Sequence, residues 1–182
     1  MKNKKTLFTP LLLVPIAAQA ADCDNTATVS TTPTSDFEIL GDGSSVLHEP
    51  TGLVWSRCSM GKTWTGSACS GDATDLNWQD ALQEVADINA SGGFADSDEW
   101  RMPSVNELET IVERCKINPA INDEIFDSQG GYFWTSTPSV ASSNKLRAWQ
   151  IQFSSGQVSS VGRESDDFYS NLVRVVRDHD AE

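Results

Sequence analysis

The stretch Trp100-Arg101-Met102-Pro103-Ser104-Val105-Asn106-Glu107-Leu108 constrains the fold more than any other part of the chain. Ser104-x-x-Glu107 is a capping box: the serine oxygen accepts from the Glu107 amide, and the glutamate reaches back to the amide of Ser104. Pro103 forces Met102 into extended geometry, so no helix begins before Ser104, and Pro103 can staple onto Leu108. The pattern predicts a helix from Val105 to about Cys115, with Val105, Leu108, Ile111, Val112 and Cys115 inward and Glu109 and Glu113 outward. Asn118-Pro119 ends it.

A second helix precedes it. Asn77 caps it, Asp80 completes a weaker box, and Trp78, Ala81, Leu82, Val85, Ala86 and Ile88 form a stripe that stops at Ser91-Gly92-Gly93. Upstream, Phe37–Leu40, Ser45–His48 and Leu53–Arg57 read as strands, the last two turning at Glu49-Pro50-Thr51-Gly52. The two-residue period puts Leu53 and Trp55 on one face and Val54 on the other. Downstream of a long connection over 116–131, strands are expected at Tyr132–Ser136, Leu146–Phe153, Gln157–Val161 and Leu172–Arg177. The class is α+β, with two helices between an N-terminal hairpin and a C-terminal antiparallel sheet.

Residues 1–20 have the layout of a signal peptide: Lys2, Lys4 and Lys5, an apolar run from Leu7 to Ala18, and Ala18-Gln19-Ala20. The apolar run is too short and too interrupted by proline to span a membrane, and no second candidate span follows. The expected product is exported: periplasmic, cell-surface or secreted. Its organisation reads as an arm over 21–36 without apolar periodicity, a domain over 37–178 and a tail over 179–182. Cutting after Ala20 removes three of 13 basic residues and none of 26 acids, taking the net charge from −13 to −16. That balance excludes nucleic acid, anionic lipid and sulfated polysaccharide as bulk electrostatic partners, because each needs a positive field.

Export and an even count make disulfides of Cys23, Cys58, Cys69 and Cys115, with three connectivities open. Cys58 and Cys69 flank a short Gly- and Ser-containing loop and are the easiest pair, leaving Cys23 to Cys115. Without a Cys-x-x-Cys pair, and with His48 and His179 distant, a structural metal has little support. Asp96, Asp98 and Glu99 can offer oxygens to calcium but lack the EF-hand spacing; solubility is the plainer reason for them. Trp64, inside the cross-linked loop, is either a stacking platform for a ligand or the plug of the loop's own small core.

Six motifs in order resemble a known family. They are Thr51-Gly52-Leu53-Val54-Trp55, Cys58-Ser59-x-Gly61-x-x-Trp64-x-Gly66-x-x-Cys69, the Trp100–Leu108 stretch, Asn118-Pro119-Ala120-Ile121-Asn122, Phe133-Trp134-Thr135-Ser136, and Val173-Arg174-Val175-Val176-Arg177. Together they are similar to a domain of unknown function in exported bacterial proteins, also called the Lcl C-terminal domain and found in collagen-like adhesins. The family usually has Leu at Met102 and Ser at Thr135. It looks in turn like a branch of the C-type-lectin-like folds, near the formylglycine-generating-enzyme domains. This implies a two-helix, looped β-fold whose N- and C-terminal strands pair. The copper-binding cysteine pair of that enzyme and the Glu-Pro-Asn and Trp-Asn-Asp signatures of calcium lectins have no counterpart here.

Adhesin members bind glycans, including sulfated ones, so the resemblance implies an exported recognition domain for a glycan or surface protein. Trp64, Trp149, Arg147, Arg163 and Tyr169 are the candidate ligand contacts, since aromatic faces stack on sugars and Arg gives directional hydrogen bonds. Trp134 and Trp149 lie in expected strands, whose aromatics usually pack inward, and the core reading is preferred for both. An accessory or minor subunit of a pilus or secretion assembly is the alternative. A hydrolase ranks below both: Ser136 and His179 suggest a triad, but no Gly-x-Ser-x-Gly elbow accompanies them.

Overall fold

The computed structural model describes residues 29–127, 129–140, 146–163 and 170–179. The expected signal peptide, Cys23 and Tyr169 lie outside the described residues. A four-stranded antiparallel sheet holds β1 (Phe37–Leu40), β2 (Ser45–His48), β3 (Leu53–Ser56) and, from the far end of the chain, β9 (Val176–Asp178), in the order β1-β2-β3-β9. The cross-linked loop forms a small hairpin of β4 (Thr63–Trp64) and β5 (Cys69–Ser70). Helices α1 (Trp78–Ala90) and α2 (Val105–Glu109) follow, then a three-stranded antiparallel sheet of β6 (Tyr132–Val140), β7 (Leu146–Gln152) and β8 (Gln157–Gly162). Among the described residues no helix is long and apolar enough to cross a membrane.

β3 lies between two cores, as its alternation predicts. Leu53 and Trp55 pack with Phe37, Leu108, Ile111, Phe126, Phe133 and Ile151, whereas Val54 packs with Met60, Val85, Trp100, Trp134 and Val175. The closing strand departs from its expected pairing. β9 joins β3 at Trp55↔Val176 and leaves β1 on the opposite edge, so the terminal strands share a sheet without pairing. The expected strand over Leu172–Arg177 is also regular only from Val176. Before that, Asn171 bridges Leu76, Leu172 bridges Phe133, and the Val173 and Val175 carbonyls accept from the amides of Met60 and Ser56, which divides the segment among several neighbours.

Both caps form as the sequence predicts. The Asn77 side chain accepts from Asp80 N at 2.9 Å, and the Ser104–Glu107 box is complete in both directions. The rest of each helix needs correction. On α1 only Ala81 and Val85 are buried, with Ile88 and Trp78 partly so, while Leu82 and Ala86 face solvent, because the helix meets the protein along a narrow stripe at its edge. Helix α2 stops at Glu109, well short of Cys115. Val112 bridges Ile121, Glu113 N donates to the Ala120 carbonyl at 3.1 Å, and Glu113 turns inward to 1 % exposure instead of outward.

Glu113 turns in because the arm supplies its donors. Its carboxylate accepts from the Ser30 hydroxyl, from the amides and hydroxyls of Thr31 and Thr32, and from Cys115 N. Asn122 Nδ2 adds a bond to the Thr32 carbonyl at 2.9 Å. Residues 30–34, read as part of a loose arm, are therefore seated against the domain. Burial pushes the Glu113 carboxyl up, but the Ser30 hydroxyl and the Thr31, Cys115 and Thr32 amides outweigh it and bring it down to about 2.

Candidate functional site

The disulfide hairpin builds the site. Cys58 and Cys69 are bonded with their Cα atoms 5.5 Å apart; the expected Cys23–Cys115 bond has one end outside the described residues. Trp64 pairs with Cys69 across the hairpin and is half-buried. Its indole Nε1 donates to the Asp42 carbonyl at 3.0 Å, and the Arg57 guanidinium lies 4.3 Å from the ring centroid. Arg57 is itself held, donating from Nε to the Ile125 carbonyl at 2.7 Å and from Nη1 to the Gly43 carbonyl at 3.0 Å. Trp64 thus plugs nothing inside its own loop; it is clamped against the β1–β2 turn.

Between this hairpin and α1 runs a groove of about 470 Å³, bordered by Asp42, Met60, Lys62, Trp64, Glu84 and Phe94. The far wall is fixed by a tight turn after α1. Phe94 stacks on Trp100 at 4.4 Å, the Trp100 indole donates to the Phe94 carbonyl at 3.0 Å, and the Asn89 side chain bonds both backbone groups of Trp100. Gly93 is required there, because a Cβ would lie 1.9 Å from the Ser97 carbonyl oxygen.

Beneath the groove sits a buried charge cluster that no local pattern announces. Arg174, 1 % exposed, donates to the Ser56 and Arg57 carbonyls and to Asp127, and packs on the Phe126 ring at 4.8 Å. Asp127 also accepts from Ser59 N at 3.0 Å and Ser59 Oγ at 3.1 Å, and pairs with Lys62 Nζ at 3.2 Å. Burial raises the Asp127 carboxyl, but Arg174 and Lys62 outweigh that and hold it below the usual carboxylate range. Lys62 and Arg174 share this one carboxylate, so Lys62 is held in place without being neutralised. At the rim, the Ser44 hydroxyl and amide keep Asp42 low and ionised. The groove therefore presents aromatic and apolar surface, hydroxyls, the Asp42 and Glu84 carboxyl groups and Lys62.

The other expected contacts do not converge on it. Of Trp64, Trp149, Arg147, Arg163 and Tyr169, only Trp64 lines the groove, and Tyr169 lies outside the described residues. Arg147 and Trp149 share one face of β7, where Arg147 Nε donates to Ser160 Oγ at 3.2 Å. Gly162 pairs with Arg147, so Arg163 faces the opposite way and lies 4.5 Å over the Trp78 ring. Trp134 is fully buried, its indole bonded to the Leu76 carbonyl at 2.7 Å. Asp96, Asp98 and Glu99 are exposed, and among the described residues no group of three or more His, Cys, Asp or Glu is arranged to hold a metal ion. Ser136 sits on β6 while His179 follows β9 in the other sheet, its amide donating to the Gly52 carbonyl, and neither borders the groove. Sequence reasoning missed Lys62, Met60, Phe94 and Asp127; for Met60 and Lys62 their place between Cys58 and Cys69 was the available signal, and for Phe94 and Asp127 there was none.

The model of the Lcl C-terminal domain matches residues 44–177, most of the chain and nearly all of the two sheets just described. The chain belongs to the Lcl C-terminal domain family. The matched span opens inside the β1–β2 turn and closes in β9, so every residue named at the groove except Asp42 falls within this Lcl C-terminal domain. Curated proteins include no match to the chain.

Proposed function

We propose that this Lcl C-terminal domain is an exported, non-enzymatic recognition module that holds a glycan or surface ligand in the groove beside Trp64. The observation that carries the reading is a large aromatic side chain clamped at the mouth of a groove by its own indole bond and by Arg57, both outside the hydrophobic cores. A preorganised ring loses little entropy on binding, which is what a stacking platform needs. The looped, C-type-lectin-like character of the family supports the same reading, as does the signal-peptide layout of residues 1–20.

The test is a glycan and envelope-protein array probed with the exported chain, followed by calorimetry on the hits with Trp64→Ala. Loss of one aromatic contact is expected to weaken binding by about tenfold. An array without hits, or an unweakened Trp64→Ala, contradicts the proposal. The acidic balance of −13 favours a second reading, a basic protein partner in a surface assembly, which the same array reports as protein hits that weaken with salt.

A further inference from the structure

We propose that the Trp64 groove is one half of a two-part site, and that the polar pocket on the other side of Lys62 takes a neutral, hydroxyl-rich sugar unit of the same ligand. This rests on the recognition reading above and specifies its ligand class. The second pocket also measures about 470 Å³ and is bordered by Lys62, Asp72, Asp75, Gln129, Tyr132 and Asn171. Among the described residues, Lys62 alone borders both pockets.

The wall between them is built rigidly. Thr74 N donates to the Met60 carbonyl at 2.9 Å, and Gly61, at a φ of +87°, lies so close to the facing segment that a Cβ would be 2.3 Å from Thr74 Oγ1 and 2.8 Å from the Asp72 carbonyl. The two pockets cannot move independently while that contact holds.

The chemistry selects the ligand. Tyr132, 42 % exposed, borders the second pocket as Trp64 borders the first, so each pocket has an aromatic side chain in its lining. Exposed Asp72 and Asp75 accept hydrogen bonds from hydroxyls, and Gln129 can both donate and accept. Asn171 is buried and oriented by its bond to Gln150 Oε1 at 2.7 Å. Lys62 is tied to Asp127 at 3.2 Å, and because Arg174 shares that carboxylate one positive charge stays at the wall between the pockets, facing Asp42 and Glu84 on one side and Asp72 and Asp75 on the other. Acceptors outnumber cations around both pockets, which suits polyhydroxyl ligands and repels sulfate or carboxylate groups.

The test is calorimetry on the exported chain with a ladder of neutral gluco- and manno-oligosaccharides of increasing length and a sulfated counterpart, at low and high salt. Affinity should rise with length and then level off, without responding to salt. Tyr132→Ala should abolish the rise, weakening the long ligands by about tenfold and leaving the shortest binders unchanged. Asp75→Asn should show the same length pattern more weakly, and melting curves confirm that both variants fold. Preference for the sulfated ladder, no binding of any neutral oligosaccharide, or a folded Tyr132→Ala that binds long ligands as well as wild type overturns the two-part site. If Tyr132 is neutral and Trp64 still matters, the groove reading survives alone. If Trp64 is neutral, the groove reading falls.

Discussion

Glu107 and Asp127 are both carboxylates that organise part of this fold, and they do so at opposite ranges. Glu107 works locally: it accepts from Ser104 N at 2.7 Å three residues away and from both Arg101 Nη atoms at 2.9 and 2.8 Å, and Arg101 extends the clip to Asp178 of β9. Asp127 works at long range, joining Ser59 and Lys62 of the cross-linked loop to Arg174 near the end of the chain in an almost dry interior. The Arg101 side chain is 40 % exposed and the Arg174 side chain 1 %. The difference teaches that a charge pair's cost of removal follows its burial, whereas its visibility in the sequence follows its spacing. Here the most consequential pair is the least visible.

Mutation can break that comparison, and the largest effect belongs to the buried pair. Asp127→Ala strands the Arg174 guanidinium, and should lower stability by about 3–5 kcal/mol in chemical denaturation. A loss below about 1 kcal/mol would mean that water already reaches the cluster. Next comes Glu113, the third carboxylate hub. Glu113→Gln removes a charged acceptor from the arm and should cost about 1.5–3 kcal/mol.

Glu113 also sets an acid limb. Its folded pKa of about 2 lies below the ordinary 4.5, so its stabilisation is complete above about pH 4.5 and is lost as pH falls toward 2. Melting temperatures from pH 7 to 2 should fall less steeply in Glu113→Gln than in wild type; parallel curves contradict the assignment.

The local clip ranks lower. Burial raises the Glu107 carboxyl, and Arg101 and Ser104 more than reverse it. Glu107→Ala should cost about 0.5–2 kcal/mol, the range of a lost helix cap, with ligand binding intact. Loss of binding in a folded Glu107→Ala would move the clip from scaffold to site. The smallest effect concerns His48, buried under Phe37 with Nδ1 at 2.9 Å from Thr51 Oγ1. Burial lowers its pKa against a weaker pull from Asp36, so stability is present above about pH 6.5 and declines as pH falls below it. His48→Gln should flatten that shallow slope, read by denaturant titration between pH 7.5 and 5.5.

These ranks explain which parts of the fold were legible. The Ser104–Glu107 box, the Asn77 cap, the β2–β3 turn and the two faces of β3 all depend on residues within a few positions of one another, so their geometry follows from spacing alone. Helix α2 was read as too long because its apolar period continues through Val112, and only the distant Ser30, Thr31 and Thr32 show why Glu113 turns inward. Leu82 and Ala86 fit the α1 period equally well, yet the helix lies at an edge that covers just Ala81 and Val85.

The site was half legible for the same reason. Trp64 stands out inside a cross-linked loop, but its clamp comes from Asp42 and Arg57, and the groove's far wall from Phe94. Arg147 and Arg163 looked equivalent as loop and strand cations; the β7–β8 register puts them on opposite faces.

The central claim is that Trp64, and not the Arg147–Trp149 face of β7, meets the ligand. The most direct measurement follows the indole N–H resonances of the six tryptophans during titration with an array hit. The account predicts that the Trp64 signal shifts in proportion to occupancy while those of Trp149 and the buried Trp134 stay in place. A shift at Trp149 with Trp64 unmoved would contradict it.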